Sequence, residues 1–157
     1  MKSILFVCTG NTCRSVIAEN MLKRWLNGCQ LRLEVRSAGI SVTPQTPVPH
    51  YILELLKKEG ISEIYHKTTP LTEEQIKEAS LILVMESFHK QRILDLFPET
   101  KDKVYLLKEY VGEKENLDIL DPFGGLEEGY ETCFSQIKGC ITKLVEILKE
   151  KMEDRGK

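Results

Sequence analysis

The sequence predicts an α/β fold in which a parallel sheet of four strands is covered by helices on both faces. Three observations carry this expectation. Short, mostly apolar runs of strand length recur along the chain, as in strands buried on both sides. Between them the apolar residues fall at helical spacing, on one face of each segment. The two kinds of segment alternate, and that order builds a parallel sheet between two layers of helices.

Ser3-Ile4-Leu5-Phe6-Val7 is the first strand. From Ser15 the period changes, and Ile17, Met21, Leu22, Trp25 and Leu26 share one helix face. Residues 31–36 alternate apolar and polar and form the second strand. Residues 41–49 hold three prolines and make a loop. A helix over residues 49–58 closes at Gly60, which suits a C-cap. Thr72-Glu73-Glu74-Gln75 opens a short helix with a good N-cap and an acidic first turn. Residues 81–85 are the third strand; a helix over 87–97 follows and stops at Pro98. Residues 104–107 are the fourth strand, and 112–125 a long polar loop. The last helix covers residues 129–151, with Tyr130, Phe134, Ile137, Ile141, Leu144, Val145 and Leu148 on one face.

The 157 residues fit one domain with one core. A hydrophobic share of 41% and a charged share of 29% are those of an ordinary globular protein. The formal net charge of −2 argues against a nucleic-acid partner, which calls for a basic excess. No apolar run approaches a membrane span, and the run after Lys2 is too short for a signal peptide. A cytoplasmic protein with neither nucleic acid nor membrane as partner is expected. The cysteines Cys8, Cys13, Cys29, Cys133 and Cys140 are odd in number and scattered, unlike a disulfide framework. Cys8 and Cys13 are not a Cys-x-x-Cys pair, and His50, His66 and His89 stand apart, so no metal is expected.

The chemistry concentrates in Cys8-Thr9-Gly10-Asn11-Thr12-Cys13-Arg14-Ser15, which joins the first strand to the first helix. Ligands of open α/β sheets bind beyond the carboxyl ends of the strands, where this loop lies. Backbone N–H groups in such a turn converge on an anion, and the helix N-terminus adds positive potential. Gly10 and Asn11 are residue types that tolerate left-handed backbone. Arg14 offers a planar fork for two phosphate oxygens. These groups favour an anion at Cys8, and the thiolate is the attacking form. The sulfur then takes a phosphoryl group as phosphocysteine, while Arg14 and the amides of residues 9–15 hold the equatorial oxygens. Ser15 is placed to donate to the sulfur and ease its departure in the second step, attack by water. Asp121-Pro122-Phe123-Gly124-Gly125 supplies a carboxyl on a fixed turn. Asp121 would protonate the leaving group and later act as base toward water.

With these residues in view the sequence resembles the low-molecular-weight protein tyrosine phosphatase family through nearly its whole length. The resemblance runs through residues 7–15, Ala18-Glu19, Ser37-Ala38-Gly39, His66, Leu83-Val84-Met85 and Asp121-Pro122. It implies a three-layer sandwich around a four-stranded parallel sheet of order 2-1-3-4. It implies Cys8 as nucleophile, Arg14 as phosphate clamp and Asp121 as general acid, with no metal or cofactor. It also implies that Asn11, Ser37 and His66 hold the loop's strained shape. One departure is Val16, where the family commonly has proline; valine is compatible with a first helical turn. Within the family the sequence looks more like the bacterial protein arginine phosphatase branch. That branch shares Thr12, Asp121-Pro122-Phe123-Gly124-Gly125, Lys108-Glu109-Tyr110-Val111 and Thr46-Pro47 with a nearby His50. A Thr12 hydroxyl can meet a guanidinium or position a water, which an aliphatic side chain cannot. The expected substrate is therefore a phosphorylated protein bearing phosphoarginine, with inorganic phosphate as product and a monomeric enzyme. A phosphotyrosine-specific enzyme is the alternative.

Other residues carry plainer readings. Cys13 is either structural or a reversible disulfide partner of Cys8 that guards it from overoxidation. Cys29, Cys133, Cys140 and Trp25 are expected in the core. His50 and His89 are expected as surface or capping groups, and residues 149–157 as a solvated helix end. Arsenate reductase, a distant alternative with this loop, needs collecting cysteines near the third strand, and residues 81–91 contain none. A non-catalytic phosphoprotein-binding module would need neither Cys8 nor Asp121.

Overall fold

The computed structural model describes residues 1–155. Four strands, β1 (Ser3–Cys8), β2 (Glu34–Gly39), β3 (Leu81–Val84) and β4 (Val104–Leu106), form one sheet of order β2-β1-β3-β4. Every pairing is parallel, so all four carboxyl ends reach the same edge. The helices are α1 (Arg14–Leu26), α2 (His50–Lys58), α3 (Glu73–Glu78), α4 (Ser87–Leu96), α5 (Leu107–Tyr110) and α6 (Glu127–Arg155). Among the described residues no helix is long and apolar enough to cross a membrane.

Alternation along β1 builds the layers. Ile4, Phe6 and Cys8 point into a core shared with α1, α2 and α6. Leu5 and Val7 point the other way, into a core shared with Ile76 of α3 and Ile93 of α4. β1 is therefore apolar and buried from Ile4 to Cys8, as suits a central parallel strand. The apolar face of α6 closes the first core, with Phe134, Ile137, Ile141, Leu144, Val145 and Leu148 all buried.

Local signals behave as their chemistry dictates. Thr72 Oγ1 accepts from the Gln75 amide at 3.2 Å, and Gln75 Oε1 accepts from the Thr72 amide at 2.9 Å. This capping box fixes the start of α3. Gly60 follows α2 in left-handed backbone at φ +85°.

Several boundaries differ from the sequence reading. β2 covers Glu34–Gly39 rather than residues 31–36. Ser37, Ala38 and Gly39 are poor strand formers, but they pair with Phe6, Val7 and Cys8, and pairing overrides propensity. The fourth strand is three residues long, and Leu107 instead begins α5. α6 starts two residues early on Glu127 and Glu128, acidic groups favourable at a helix N-terminus. Trp25 and Cys29 are only partly buried, because they sit at the outer end of α1. Residues 149–154 are exposed on α6, and residues 156–157 of the expected solvated end lie outside the described residues.

Candidate active site

The Cys8–Ser15 loop lies where β1 delivers the chain to α1, at the carboxyl edge of the sheet. β2 presses against it. The Ile40 amide donates to the Cys8 carbonyl at 3.0 Å, and the Ser41 amide to the Thr9 carbonyl at 2.9 Å. A Cβ on Gly39 would stand 2.6 Å from the Thr9 carbonyl oxygen and 3.0 Å from the Asn11 nitrogen. Glycine at 39 is thus a condition of the loop's position.

Asn11 holds the loop's unusual turn. Its φ is +55°, while Gly10 is not left-handed, so only one of the two expected residues uses that freedom. Asn11 is fully buried and every polar atom of its side chain is engaged. Nδ2 donates to Ser15 Oγ at 2.8 Å and Ser37 Oγ at 2.9 Å. Oδ1 accepts from the Thr69 amide at 2.9 Å. The Asn11 carbonyl accepts from His66 Nε2 at 2.7 Å. Ser37 Oγ in turn donates to Glu19 Oε1 at 2.6 Å. Ser15 Oγ lies 3.0 Å from Cys8 Sγ. Because Ser15 already accepts from Asn11, its own hydrogen is free for the sulfur.

Arg14 is 1% exposed despite its charge. Nη1 donates to Glu86 Oε2 at 2.6 Å and to the Ile119 carbonyl at 2.8 Å. Nη2 donates to Thr9 Oγ1 at 3.2 Å and lies 3.5 Å from Asp121 Oδ2. Both Nη1 hydrogens and one on Nη2 are committed, so Nε and the second Nη2 hydrogen are left to meet an anion. Burial works against the guanidinium charge, but Cys8, Glu86 and Asp121 together hold its pKa above the usual value.

His89 completes a ring around this arginine. Its Nδ1 accepts from the Glu86 amide at 3.0 Å, and its Nε2 lies 2.9 Å from Thr9 Oγ1. An accepting Nδ1 means a neutral ring with the proton on Nε2, which donates to Thr9. Burial, then the Arg14 charge, push the His89 pKa down to about 3. Expected as a surface or capping group, His89 does cap α4 but is fully buried. With two donors on its oxygen, Thr9 keeps its own hydrogen to point elsewhere.

Asp121 sits on the long loop between α5 and α6, its side chain 42% exposed. Its Oδ1 accepts from the Phe123 amide at 3.0 Å, and Gly125 donates to the Pro122 carbonyl at 2.9 Å. This turn aims the other carboxylate oxygen at Arg14. Cys8, Thr9, Gly10, Thr12, Cys13, Arg14 and Asp121 line one cavity of about 300 Å³, with Ser41, Thr43, Thr46 and Phe123 completing its wall. Asn11, Ser15, Ser37 and His66 stand behind the cavity. Among the described residues no cluster of His, Cys, Asp or Glu is arranged to hold a metal. A sulfur, an arginine fork and a loop carboxyl around one small cavity suit transfer of a tetrahedral oxyanion group.

Comparison with known proteins agrees with that geometry. The profile of the low molecular weight phosphotyrosine protein phosphatase family matches residues 3–154. The chain belongs to this family. It is 40% identical over 147 residues to a protein-arginine-phosphatase of Bacillus subtilis, covering 94% of this chain and 97% of the relative. It is 36% identical over 145 residues to a low molecular weight protein-tyrosine-phosphatase, PtpB, of Staphylococcus haemolyticus, covering 90% and 96%. The solved YwlE arginine phosphatase of Geobacillus stearothermophilus superposes with a TM-score of 0.88 at 37% identity, covering 98% of this chain and 97% of that one. Members of the family are phosphatases, and an enzyme of that class is what this chain is.

Three residues around this site carry no site role in the sequence reading. Glu86 and His89 hold Arg14 and Thr9, and Glu19 receives Ser37. A signal was present for the first pair. Glu86 and His89 are three apart at a helix start, the spacing of a capping box, with histidine in the place of glutamine.

Proposed function

We propose that this chain is a cysteine-dependent protein phosphatase that removes phosphate from phosphoarginine. Cys8 is the nucleophile. Its sulfur attacks phosphorus, the bond from phosphorus to the guanidine nitrogen breaks, and Asp121 gives its proton to the leaving nitrogen. The amides of residues 9–15 and the Nε and Nη2 groups of Arg14 receive the equatorial oxygens. In the second step Asp121 takes a proton from water, the water oxygen attacks phosphorus, and the sulfur leaves as thiolate. Ser15 donates to that departing sulfur. Inorganic phosphate is released, without metal or cofactor. Asn11, Ser37 and His66 keep the loop in its catalytic shape.

The cavity wall carries the substrate reading. It is lined by the hydroxyl residues Thr12 of the loop and Ser41, Thr43 and Thr46 beyond it, with Phe123 as its one aromatic residue. Hydroxyl acceptors suit a polar, planar guanidinium better than a phenol ring, which fits a slot between two aromatic faces. The likeness to arginine phosphatases of two organisms supports the same choice. Phe123 is 74% exposed at the rim and can still cover an aryl ring, so aryl phosphates are accepted less well. Residues 81–91 hold no cysteine, which disfavours arsenate reduction. A monomer acting on phosphoproteins in the cytoplasm fits this reading.

Turnover of one peptide sequence carrying phosphoarginine or phosphotyrosine tests it, before and after Thr12→Ile. The expected result is a loss confined to phosphoarginine. An equal loss on both substrates, or none, would sink the assignment.

A further inference from the structure

One hydroxyl hydrogen in the catalytic cavity has no acceptor among the described residues. Thr9 lines the cavity beside Arg14. Its Oγ1 accepts from Arg14 Nη2 at 3.2 Å and stands 2.9 Å from His89 Nε2. The His89 ring is fixed from its other side, where Nδ1 accepts from the Glu86 amide at 3.0 Å. An accepting Nδ1 leaves the ring proton on Nε2, so this nitrogen also donates to Thr9. A threonine oxygen has two lone pairs and one hydrogen. Both lone pairs are filled, and the hydrogen alone is left to face the cavity. Ser15 is built in the same way: its oxygen accepts from Asn11 Nδ2, and its hydrogen turns to the Cys8 sulfur.

We infer that the Thr9 hydroxyl donates its hydrogen to an oxygen of the transferring phosphoryl group, and that His89 is the positioning residue that aims it. This rests on Cys8 being the nucleophile of a phosphatase, as proposed above, but not on the choice of phosphoarginine. Arg14 Nη2 keeps one hydrogen for the phosphoryl group, and Thr9 Oγ1 lies beside that nitrogen. The two donors can therefore meet the same anion. With both lone pairs taken, Thr9 turns no acceptor toward it.

The surroundings strengthen this donor. A guanidinium and an imidazole N–H both draw electron density from Oγ1, which makes its own O–H a better donor. They also fix the hydroxyl before substrate arrives, so it need not reorient as charge spreads over the phosphoryl oxygens. The first turn of α4 thereby serves the phosphoryl group by two routes. Glu86 Oε2 holds Arg14 Nη1 at 2.6 Å, and His89 holds Thr9. The labour of the two loop threonines is divided. Thr12 meets the leaving group under the proposed function, whereas Thr9 meets the part that every phosphorylated substrate shares.

Kinetics of variants at both residues test the inference, with inorganic phosphate as the probe of oxyanion binding. Thr9→Val keeps the shape of the side chain and removes the hydroxyl, while Arg14 retains Glu86, the Ile119 carbonyl and Asp121. It is expected to lower kcat/KM roughly 10- to 100-fold and to raise the inhibition constant of phosphate by a similar factor, the range for one hydrogen bond to a charged group. The loss should be equal on phosphoarginine and phosphotyrosine peptides, and Thr9→Ser should recover most of it. His89→Leu should weaken phosphate inhibition in the parent but add nothing in Thr9→Val. His89→Gln, which still accepts from the Glu86 amide and donates to Thr9, should recover that loss. Parental phosphate inhibition in Thr9→Val would overturn the inference, as would failure of serine to rescue. A loss confined to one peptide would place Thr9 against the leaving group instead. An equal effect of His89→Leu in both backgrounds would remove its aiming role. Failure of the underlying reading looks different: Cys8→Ser would still turn over substrate.

Discussion

Ser15 Oγ stands 3.0 Å from Cys8 Sγ, and its lone pairs already receive Asn11 Nδ2, so the serine hydrogen belongs to the sulfur. A hydrogen bond to a developing thiolate contributes most when the sulfur leaves, in the second step. Ser15→Ala is expected to lower kcat by roughly 10- to 100-fold, the range for one hydrogen bond to a charged group. KM should fall with it as phosphoenzyme accumulates. Steady-state kinetics with a pre-steady-state burst check this; loss without a larger burst would place the role of Ser15 in the first step.

Asp121 lies on an exposed turn that points one oxygen at Arg14. Asp121→Asn keeps the turn but removes the transferable proton. The expected loss in kcat is roughly 100- to 10,000-fold on substrates with basic leaving groups. Aryl phosphates with acidic phenols, whose leaving group needs no proton, should lose far less. A uniform loss across a leaving-group series would argue that Asp121 serves to position Arg14.

Asn11 combines left-handed backbone with four hydrogen-bond partners in a buried place. Asn11→Ala leaves Ser37 Oγ and the Thr69 amide short of partners and puts a non-favoured residue at positive φ. A destabilisation of about 2–4 kcal/mol is expected, from the unpaired groups and the backbone together. Urea unfolding measures it. Turnover should fall further than stability explains, because the loop amides lose their aim.

His89 makes stability depend on pH. Its pKa in the folded protein is about 3, against an ordinary value of 6.5. Between these values the unfolded chain binds a proton that the folded chain refuses, so the histidine's contribution is lost as pH falls from about 6.5 toward 3. His89→Gln can still accept from the Glu86 amide and donate to Thr9, but it does not titrate. Unfolding free energies measured from pH 7 to pH 4 should fall less steeply in the variant. Parallel curves would mean that His89 takes up its proton in the fold as readily as in the unfolded chain.

The layers and the loop were legible because they rest on local patterns. The β1 run, the switch of period at α1 and the capping box of Thr72 each need only a few neighbouring residues. The cysteine loop was legible for the same reason, as was the Asp-Pro turn. What stayed hidden depends on contact between distant segments. Glu86 and His89 reach Arg14 and Thr9 across more than seventy residues of chain, and their capping-box spacing marks a helix start without naming those partners. The reach of β2 to Gly39 was hidden because Ser, Ala and Gly do not look like a strand; pairing with β1 decides it.

The most direct test of the mechanism is mass spectrometry of enzyme quenched in acid during turnover of a phosphoarginine peptide. A phosphocysteine route predicts one phosphoryl group on Cys8 in the peptide of residues 3–14, enriched in Ser15→Ala and absent in Cys8→Ser. Turnover at full rate with no phosphoryl group on Cys8 in either protein would contradict it.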